Sequence, residues 1–568
     1  MLFRSINIGP NLASQINLPH PDSYKNYLNK TYTHNFHFKN TDADSICTII
    51  ENLRTKSSYG VDGISTKLLK FIKDCVAKPL TTIINQTLRT GIFPTKLKIA
   101  KVTPIYKKDD ENLFINYRPI SILPAFSKVF EKVIFNQLYD YFDTYKLFYN
   151  SQYGFRKNHS TELATIELVD KVTHEMDIGN LPMCIFLDLS KAFDTLNHII
   201  LLNKLKYYGL NGTSLTLFEN YLTNRQQYVQ YDDVDSELLY IKTGVPQGSI
   251  LGPLLFLIYI NDIAHASNIF ELVMYADDST LSASLNIFSN DTSSLEIDDN
   301  INLELNKIST WLDANKLSLN VGKTKFMVFR QPQKKFRIPK IKMKNIQIDH
   351  VNNFNFLGII IDSHLNWNSH IEKISSKISR SLGILNKLKR ILPIDPKLKI
   401  YNSIILSHIN YGILTWGFKC SKLKTIQKKA VRIITCSKFN AHTDPLFKHM
   451  GLLKVEDIFM IAKIKFYFKY LNKVLPTNLQ NLPLLLNMNI HPHNTRQSGN
   501  LFMHRYDHFF AKQSLRFDLP KTINELPSNI RDKFYTHSLQ GLVRYTKTIF
   551  INKYQESCDI PNCYICAN

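Results

Sequence analysis

Cysteine is scarce in this chain. Eight are scattered through 568 residues, too few and too irregular for a disulfide framework, which points to a reducing, intracellular compartment. No apolar run approaches the ~20 residues that a membrane-spanning helix needs. The nearest, LLFLIYI at 254–260, is stopped by Asn261 and Asp262, so no membrane span is expected. The opening residues, MLFRSINIGPNLASQ, lack the ~7–15-residue apolar core of a secretory signal. Neither a fixed-period repeat nor a long low-complexity tract is present, which excludes solenoids and tandem arrays. Acidic residues are also scarce, but only in one place. Residues 363–568 hold 11 Asp and Glu against 31 Lys and Arg, a net +20 of the whole chain's +23.

What is present describes a large globular protein. Hydrophobic content of 44% and charged content of 21% are those of a folded chain. At this length one core does not suffice, since cores stop growing at about 250–300 residues, and two to four subdomains are expected. Short apolar strands alternating with longer helical patterns, without a long βαβ series, predict an α+β fold. In the basic third, LNKLKRILPIDPKLK and KLKTIQKKAVRIITCSKF interleave Lys and Arg with apolar residues at helical spacing. That pattern gives helices that bury one face and offer the other to phosphates, or simply a solvated basic surface. The nearest thing to a linker is NMNIHPHNTRQSGN at 487–500.

Two acidic pairs carry the chemistry. FLDLSKAFD sets Asp188 and Asp194 after an apolar run, and YADDST sets Asp277 and Asp278 after another. Met183–Leu187 and Phe270–Tyr275 read as short buried strands, which puts both pairs at strand ends. Paired carboxylates are hard-oxygen ligands for Mg²⁺, and two such ions ~3.5–4 Å apart clamp the attacking and leaving oxygens of an in-line phosphoryl displacement. Each Asp alone is as well explained as a helix cap or turn residue. The order decides: a strand ending in Asp, then GVPQGSILGPLLFLIYINDI at 244–263 with a Gly-bearing loop opening an apolar helix, then Tyr-Ala-Asp-Asp in a hairpin turn.

These segments in this order resemble reverse transcriptases. LDLSKAFDTLNH and the 244–263 segment are similar to the non-LTR (LINE-type, jockey-like) retrotransposon branch. KVTPIYKKDD, NYRPISILPAFSKVFEKVI and SQYGFRKNHSTELAT are similar to the fingers region of that family, and LNVGKTKFMVF and FNFLGIIID to its later palm segments. The likeness is close over 88–362, with a weaker match that includes SSYGVDGISTKLLK at 57–70. It implies a right-hand polymerase of fingers, palm and thumb. The divisions are then 1–87 as a partly fingers-associated N-terminal region, 88–362 as fingers and palm, 363–470 as a helical thumb, and 471–568 as a basic C-terminal extension.

The resemblance also implies roles. Asp188 and Asp277 would be the principal ligands of two Mg²⁺ ions, with Asp278 supporting them and Mn²⁺ as a substitute metal. Lys107, Lys108 and Arg118 would reach the triphosphate, Arg118 through its bidentate fork, or the lysines merely solvate a hairpin. Phe193 would clash with a 2′-hydroxyl and select deoxynucleotides, or else pack in the core. Gly244 and Gly248 allow close backbone approach, and Gln247 offers a donor and an acceptor to the incoming sugar. Phe356, Leu357 and Gly358 would grip the primer, or form an ordinary strand end.

The implied activity is RNA-directed DNA synthesis on a primer 3′-OH, with RNA template, DNA primer and dNTPs as partners. The alternative is a non-catalytic nucleic-acid-binding protein derived from such an element. An RNA-templated RNA polymerase is disfavoured by Phe193. Relatives of this branch usually carry an endonuclease ahead of the polymerase, for which 87 residues are too few, so the chain reads either as a truncated copy or as a polymerase with a separately encoded endonuclease or RNA-binding protein as a further partner. Enzymes of this lifestyle work in both cytoplasm and nucleus, although no basic run here reads as a nuclear signal. Cys558, Cys563 and Cys566 have a C-x4-C-x2-C spacing that supplies three zinc ligands but no fourth, and a frayed end is the simpler reading.

Overall fold

A computed structural model describes residues 20–28, 32–288, 294–490, 497–505 and 514–555. Cys558, Cys563 and Cys566 lie outside these. The strands that place the site are, in chain order, β1 (Ile99–Tyr106), β2 (Tyr117–Ile122), β3 (Pro182–Leu187), β4 (Gln226–Tyr231), β5 (Glu271–Tyr275) and β6 (Asp278–Ser284). Four more follow: β7 (Lys325–Val328), β8 (Asp349–His350), β9 (Asn353–Phe356) and β10 (Ile359–Asp362). Together with the helices they make the mixed α+β architecture expected from the sequence.

In the first sheet β1 pairs antiparallel with β2, with Ile105 opposite Arg118, and parallel with β4, with Ile99 opposite Gln226. The second sheet runs β8-β7-β3-β6-β5. Its middle strand, β3, is antiparallel to both neighbours: Leu187 faces Ser279 on β6, and Met183 faces Val328 on β7. Every residue of β3 is buried, and the period of two sends successive side chains to opposite faces. Met183, Ile185 and Leu187 enter one hydrophobic core, while Cys184 and Phe186 enter a second. Neighbouring strands repeat the division, Leu272 and Met274 on one side and Val273 on the other, Phe326 and Val328 against Met327. The sheet is therefore the wall between two cores.

On the first side pack α1 (Ala125–Thr144), α3 (His198–Tyr207) and α4 (Leu251–Ile260). On the other lie α2 (Thr161–Asp177) and the helices after residue 363, among them α5 (Asn368–Lys387), α6 (Ser421–Ile434), α7 (Val455–Leu471), α8 (Leu515–Glu525) and α9 (Leu539–Asn552). α6 realises the amphipathic pattern: Leu423, Ile426, Ala430, Val431 and Ile434 are buried while Lys422 and Lys429 face solvent. The other basic stretch does not form one helix. α5 ends at Lys387 and a separate helix covers Ile394–Ile400, because Pro393 lacks an N–H and holds its predecessor out of the helical region.

The second core runs without interruption from Tyr153 to Tyr554, so residues before and after 470 share one hydrophobic interior. At 487–500, Asn487 N donates to Asn500 O at 2.9 Å and Leu486 bridges Leu501, which is buried. The two ends of that polar stretch are thus clasped together. No described helix is long and apolar enough to cross a membrane.

Candidate active site

The second acidic pair sits on a two-residue hairpin. Tyr275 pairs with Asp278 across β5 and β6, leaving Ala276 and Asp277 as the turn. Ala276 has φ +57, a left-handed conformation that costs a residue with a Cβ about 1–2 kcal/mol. It is held from behind. Residues 151–153 run parallel to β5, with Met274 N donating to Ser151 O at 2.9 Å and Tyr153 N to Met274 O at 2.7 Å. Gln152 Oε1 then accepts from both Gly154 N at 2.8 Å and Ala276 N at 3.0 Å. A Cβ on Gly154 would stand 2.3 Å from Ala276 N, so only glycine allows this approach.

The first pair follows β3. Continuing the β3–β6 register by one residue beyond Leu187–Ser279 sets Asp188 opposite Asp278. Its backbone oxygen accepts from Asn320 N at 2.8 Å, and its carboxylate lies 3.8 Å from Lys323 Nζ. The three carboxylates feel one another. Burial raises the Asp277 carboxyl above its ordinary range and the Asp188 charge adds to this, while Arg118 and Lys107 oppose it. Asp278, whose side chain is exposed to solvent on one side, is still pushed up to about 6, by partial desolvation first and then by Asp277 and Asp188. Hard oxygen donors that repel one another suit a divalent cation, which would relieve the repulsion. Among the described residues, no trio of His, Cys, Asp or Glu converges on one point, so the carboxylates are neighbours and not a closed cage.

The β1–β2 hairpin contributes positive charge to this site. Lys107 N donates to Asn116 O at 2.9 Å, extending the ladder beyond Tyr106 and Tyr117, and both Lys107 and Arg118 are exposed. Their positive charges reach Asp277. Lys108 does not join them there, as its Nζ is 3.6 Å from the Asp109 carboxylate.

The segments 188–198 and 243–248 are zipped together. Gly244 N donates to Leu196 O at 2.8 Å, Val245 N to Phe193 O at 3.0 Å, and the His198 ring meets Gly244 O at 2.8 Å. Asn197 caps α3 by accepting from Ile200 N at 3.1 Å, which accounts for the Leu-Asn-His run after Asp194. Gln247 is committed to this joint, since its Nε2 donates to Asp194 Oδ1 at 2.8 Å while Ser121 N donates to its backbone oxygen at 2.8 Å. Gly248 has φ +140, and a Cβ there would lie 2.3 Å from Ser121 O. Phe193 is half-buried, stacked on Phe256 at 4.6 Å with Phe155 edge-on at 6.2 Å. Phe155, 47% exposed with φ +53, is an aromatic neighbour that sequence reasoning missed.

Phe356, Leu357 and Gly358 form the tight turn between β9 and β10. Phe356 pairs with Ile359, and Leu357 and Gly358 both have positive φ, +46 and +89, the signature of a type I′ turn. Tyr411 Oη donates to Leu357 O at 2.5 Å. Phe354 stacks on Phe186 of β3 at 3.9 Å, and Phe356 lies 6.0 Å from the same ring. The hairpin is thereby fixed to the strand that leads to Asp188.

Three carboxylates thus stand at adjoining strand ends, with the charges of Arg118 and Lys107 acting on Asp277. Residues 105–361 match the reverse transcriptase (RNA-dependent DNA polymerase) family. Over 429 residues it is 25% identical to the RNA-directed DNA polymerase from mobile element jockey of Drosophila funebris, covering 73% of this chain and 46% of that protein. The probable RNA-directed DNA polymerases from transposon X-element and transposon BS of Drosophila melanogaster are 26% and 27% identical, over 72% and 73% of this chain and 46% and 47% of theirs. The chain spans about half the length of the curated relatives it matches.

Proposed function

We propose that this chain is an RNA-directed DNA polymerase of the non-LTR retrotransposon type, adding deoxynucleotides to a primer 3′-OH along an RNA template. The observation that carries it is the placement of Asp188, Asp277 and Asp278 at the adjoining ends of β3 and the β5–β6 hairpin, within the segment that matches the reverse transcriptase family. In this reading the first sheet is the fingers, the second the palm, 363–470 the thumb and 471–568 a basic extension.

Asp188, Asp277 and Asp278 would hold two Mg²⁺ ions, whose bound contribution is to neutralise charge on the attacking and leaving oxygens. The remaining work is positioning and electrostatics. Arg118 and Lys107 draw the triphosphate toward Asp277, and Lys108 adds charge at the fingers rim. Phe193, fixed by Phe256 and Phe155, blocks the space of a 2′-hydroxyl. Gln247, held by Asp194, and the bare backbone of Gly248 border the sugar. The Phe356–Leu357–Gly358 turn grips the primer strand. RNA template, DNA primer and dNTPs are the partners, with the basic helices after 363 lying along the phosphates.

Primer extension on an RNA template with Mg²⁺ tests the reading. The chain should extend with deoxynucleotides, Asp277→Asn should lose synthesis while retaining template–primer binding, and Phe193→Ala should admit ribonucleotides. Binding without extension by the unaltered chain would instead establish a nucleic-acid-binding derivative of such an element.

A further inference from the structure

Behind the candidate site lies a buried carboxylate that the proposed chemistry does not use. Glu167, on α2, is 2% exposed. It accepts from Ser151 Oγ at 2.7 Å, from Tyr153 Oη, from Lys171 Nζ at 2.9 Å and from Asn478 Nδ2 at 2.9 Å. The same Asn478 nitrogen is 2.6 Å from Ser151 Oγ. A buried carboxylate needs its donors, because an ion short of partners in a low dielectric is expensive.

The residues that supply these donors have another task. Ser151 and Tyr153 flank Gln152, and their backbones pair with Met274 while the Gln152 side chain holds Ala276 N. Asn478 lies well beyond residues 105–361, the segment that matches the reverse transcriptase family. It lies in a short helix at Thr477–Gln480, anchored by the buried Leu479. A second tie runs parallel to it: Arg516, from α8, meets Asp170 on α2 through Nε at 2.7 Å and Nη2 at 2.8 Å. Two polar clamps thus join residues beyond 470 to α2, and one of them ends on the strand that supports the catalytic hairpin.

We propose that Asn478 is a positioning residue for the catalytic centre: acting through Glu167 and Ser151, it fixes the 151–154 segment and with it the Asp277–Asp278 hairpin. This rests on the polymerase reading. The C-terminal part then completes the active site from behind, in addition to any contact it makes with nucleic acid. A hairpin released by a fraction of an ångström alters the spacing of Asp277 and Asp278 from Asp188, and misplacement of about 1 Å costs on the order of 100-fold in rate.

An exchange of charge tests this. Asn478→Asp sets two carboxylates in contact, Glu167→Gln removes the acceptor charge, and the combined variant restores one carboxylate and one amide with the roles reversed. Lys171 keeps its contact with Glu271, 2.9 Å away, in all three. Each single variant should lower kcat roughly tenfold or more and raise the half-saturating Mg²⁺ concentration severalfold, with template–primer Kd unchanged. The double variant should recover most of both. A purely structural role would scale kcat with the folded fraction, read from thermal melting, and leave the Mg²⁺ dependence where it was. Unaltered kcat and Mg²⁺ dependence in an active background, or losses that the double variant fails to relieve, would overturn the inference alone. A wild-type chain that extends no primer would overturn the polymerase reading and this inference with it.

Discussion

Lys204 and Asp262 form an ion pair with neither side chain exposed to solvent, and breaking it is the sharpest stability test the fold offers. Lys204 Nζ also meets Tyr259 O and lies over the Tyr259 and Trp311 rings at 4.8 and 5.1 Å, while Trp311 Nε1 donates to Asp262 Oδ2 at 3.2 Å. Burial pushes the Lys204 ammonium pKa down and the Asp262 carboxylate opposes that. Lys204→Met keeps most of the volume but strands a buried carboxylate, a loss of about 3–5 kcal/mol. Domain stabilities are only about 5–15 kcal/mol, so much of the first core's margin would vanish. Lys204→Met/Asp262→Asn removes both charges and leaves an acceptor for Trp311. Its remaining faults are neutral ones, the Tyr259 carbonyl that lost the ammonium and the amide N–H groups introduced at 262, together ~1–3 kcal/mol where they pair with each other only in part. Urea denaturation of the three proteins should therefore rank them wild type, double variant, single variant. A Lys204→Met unfolding free energy within about 1 kcal/mol of wild type, or a double variant less stable than the single, would refute the argument that pairing offsets the desolvation of these charges.

Other substitutions address the site. Gly154→Ala drives a Cβ into the Ala276 backbone and should slow primer extension at least ~10-fold without changing template affinity; a normal rate would show that the hairpin does not rest on residue 154. Gly248→Ala forces the loop off Ser121 and should raise KM for dNTPs more than it lowers kcat, so an unchanged KM would count against that loop bordering the sugar. For Asp278 the sign is that of an acid whose folded pKa is raised, from 3.8 to about 6: the charged form is disfavoured in the fold, fully above pH 6 and not at all below 3.8. Asp278→Asn should then melt higher than wild type at pH 8 without metal, and the gap should close between pH 6 and 4. A gap independent of pH would contradict the assignment.

Much of the second sheet was legible because its signals are local. Apolar runs ended by Asp gave β3 and β5 to within a residue at their starts, and YADD read correctly as a hairpin turn. Distant partners left no such trace. Asp262 looked like the polar residue that stops an apolar run, yet it is wholly buried, since the Lys204 that neutralises it lies 58 positions away. Gln152 sits in a stretch similar to the fingers of the reverse transcriptase family and Glu167 lies two residues beyond it, and their roles appear only when Ala276 and Asn478 fold against them. Gln247 reads as a free amide until Asp194 is brought to it. The long basic pattern at 385–399 keeps its helical spacing across Pro393 and Pro396, but the backbone breaks before the first of them.

The wall strand β3 also carries a consequence in time. Its pairing partners on β7 begin at Lys325 and end at Val328, so a ribosome adding about 5–20 residues per second needs on the order of 10–30 s after finishing β3 before both its edges can be covered. Throughout that interval an entirely apolar strand waits with open hydrogen bonds, the state most prone to pair with another nascent chain. Synthesis that halts between β6 and β7 would leave this strand half-covered and both cores open, so the emerging chain has greatest need of a chaperone while residues 188–328 are being made.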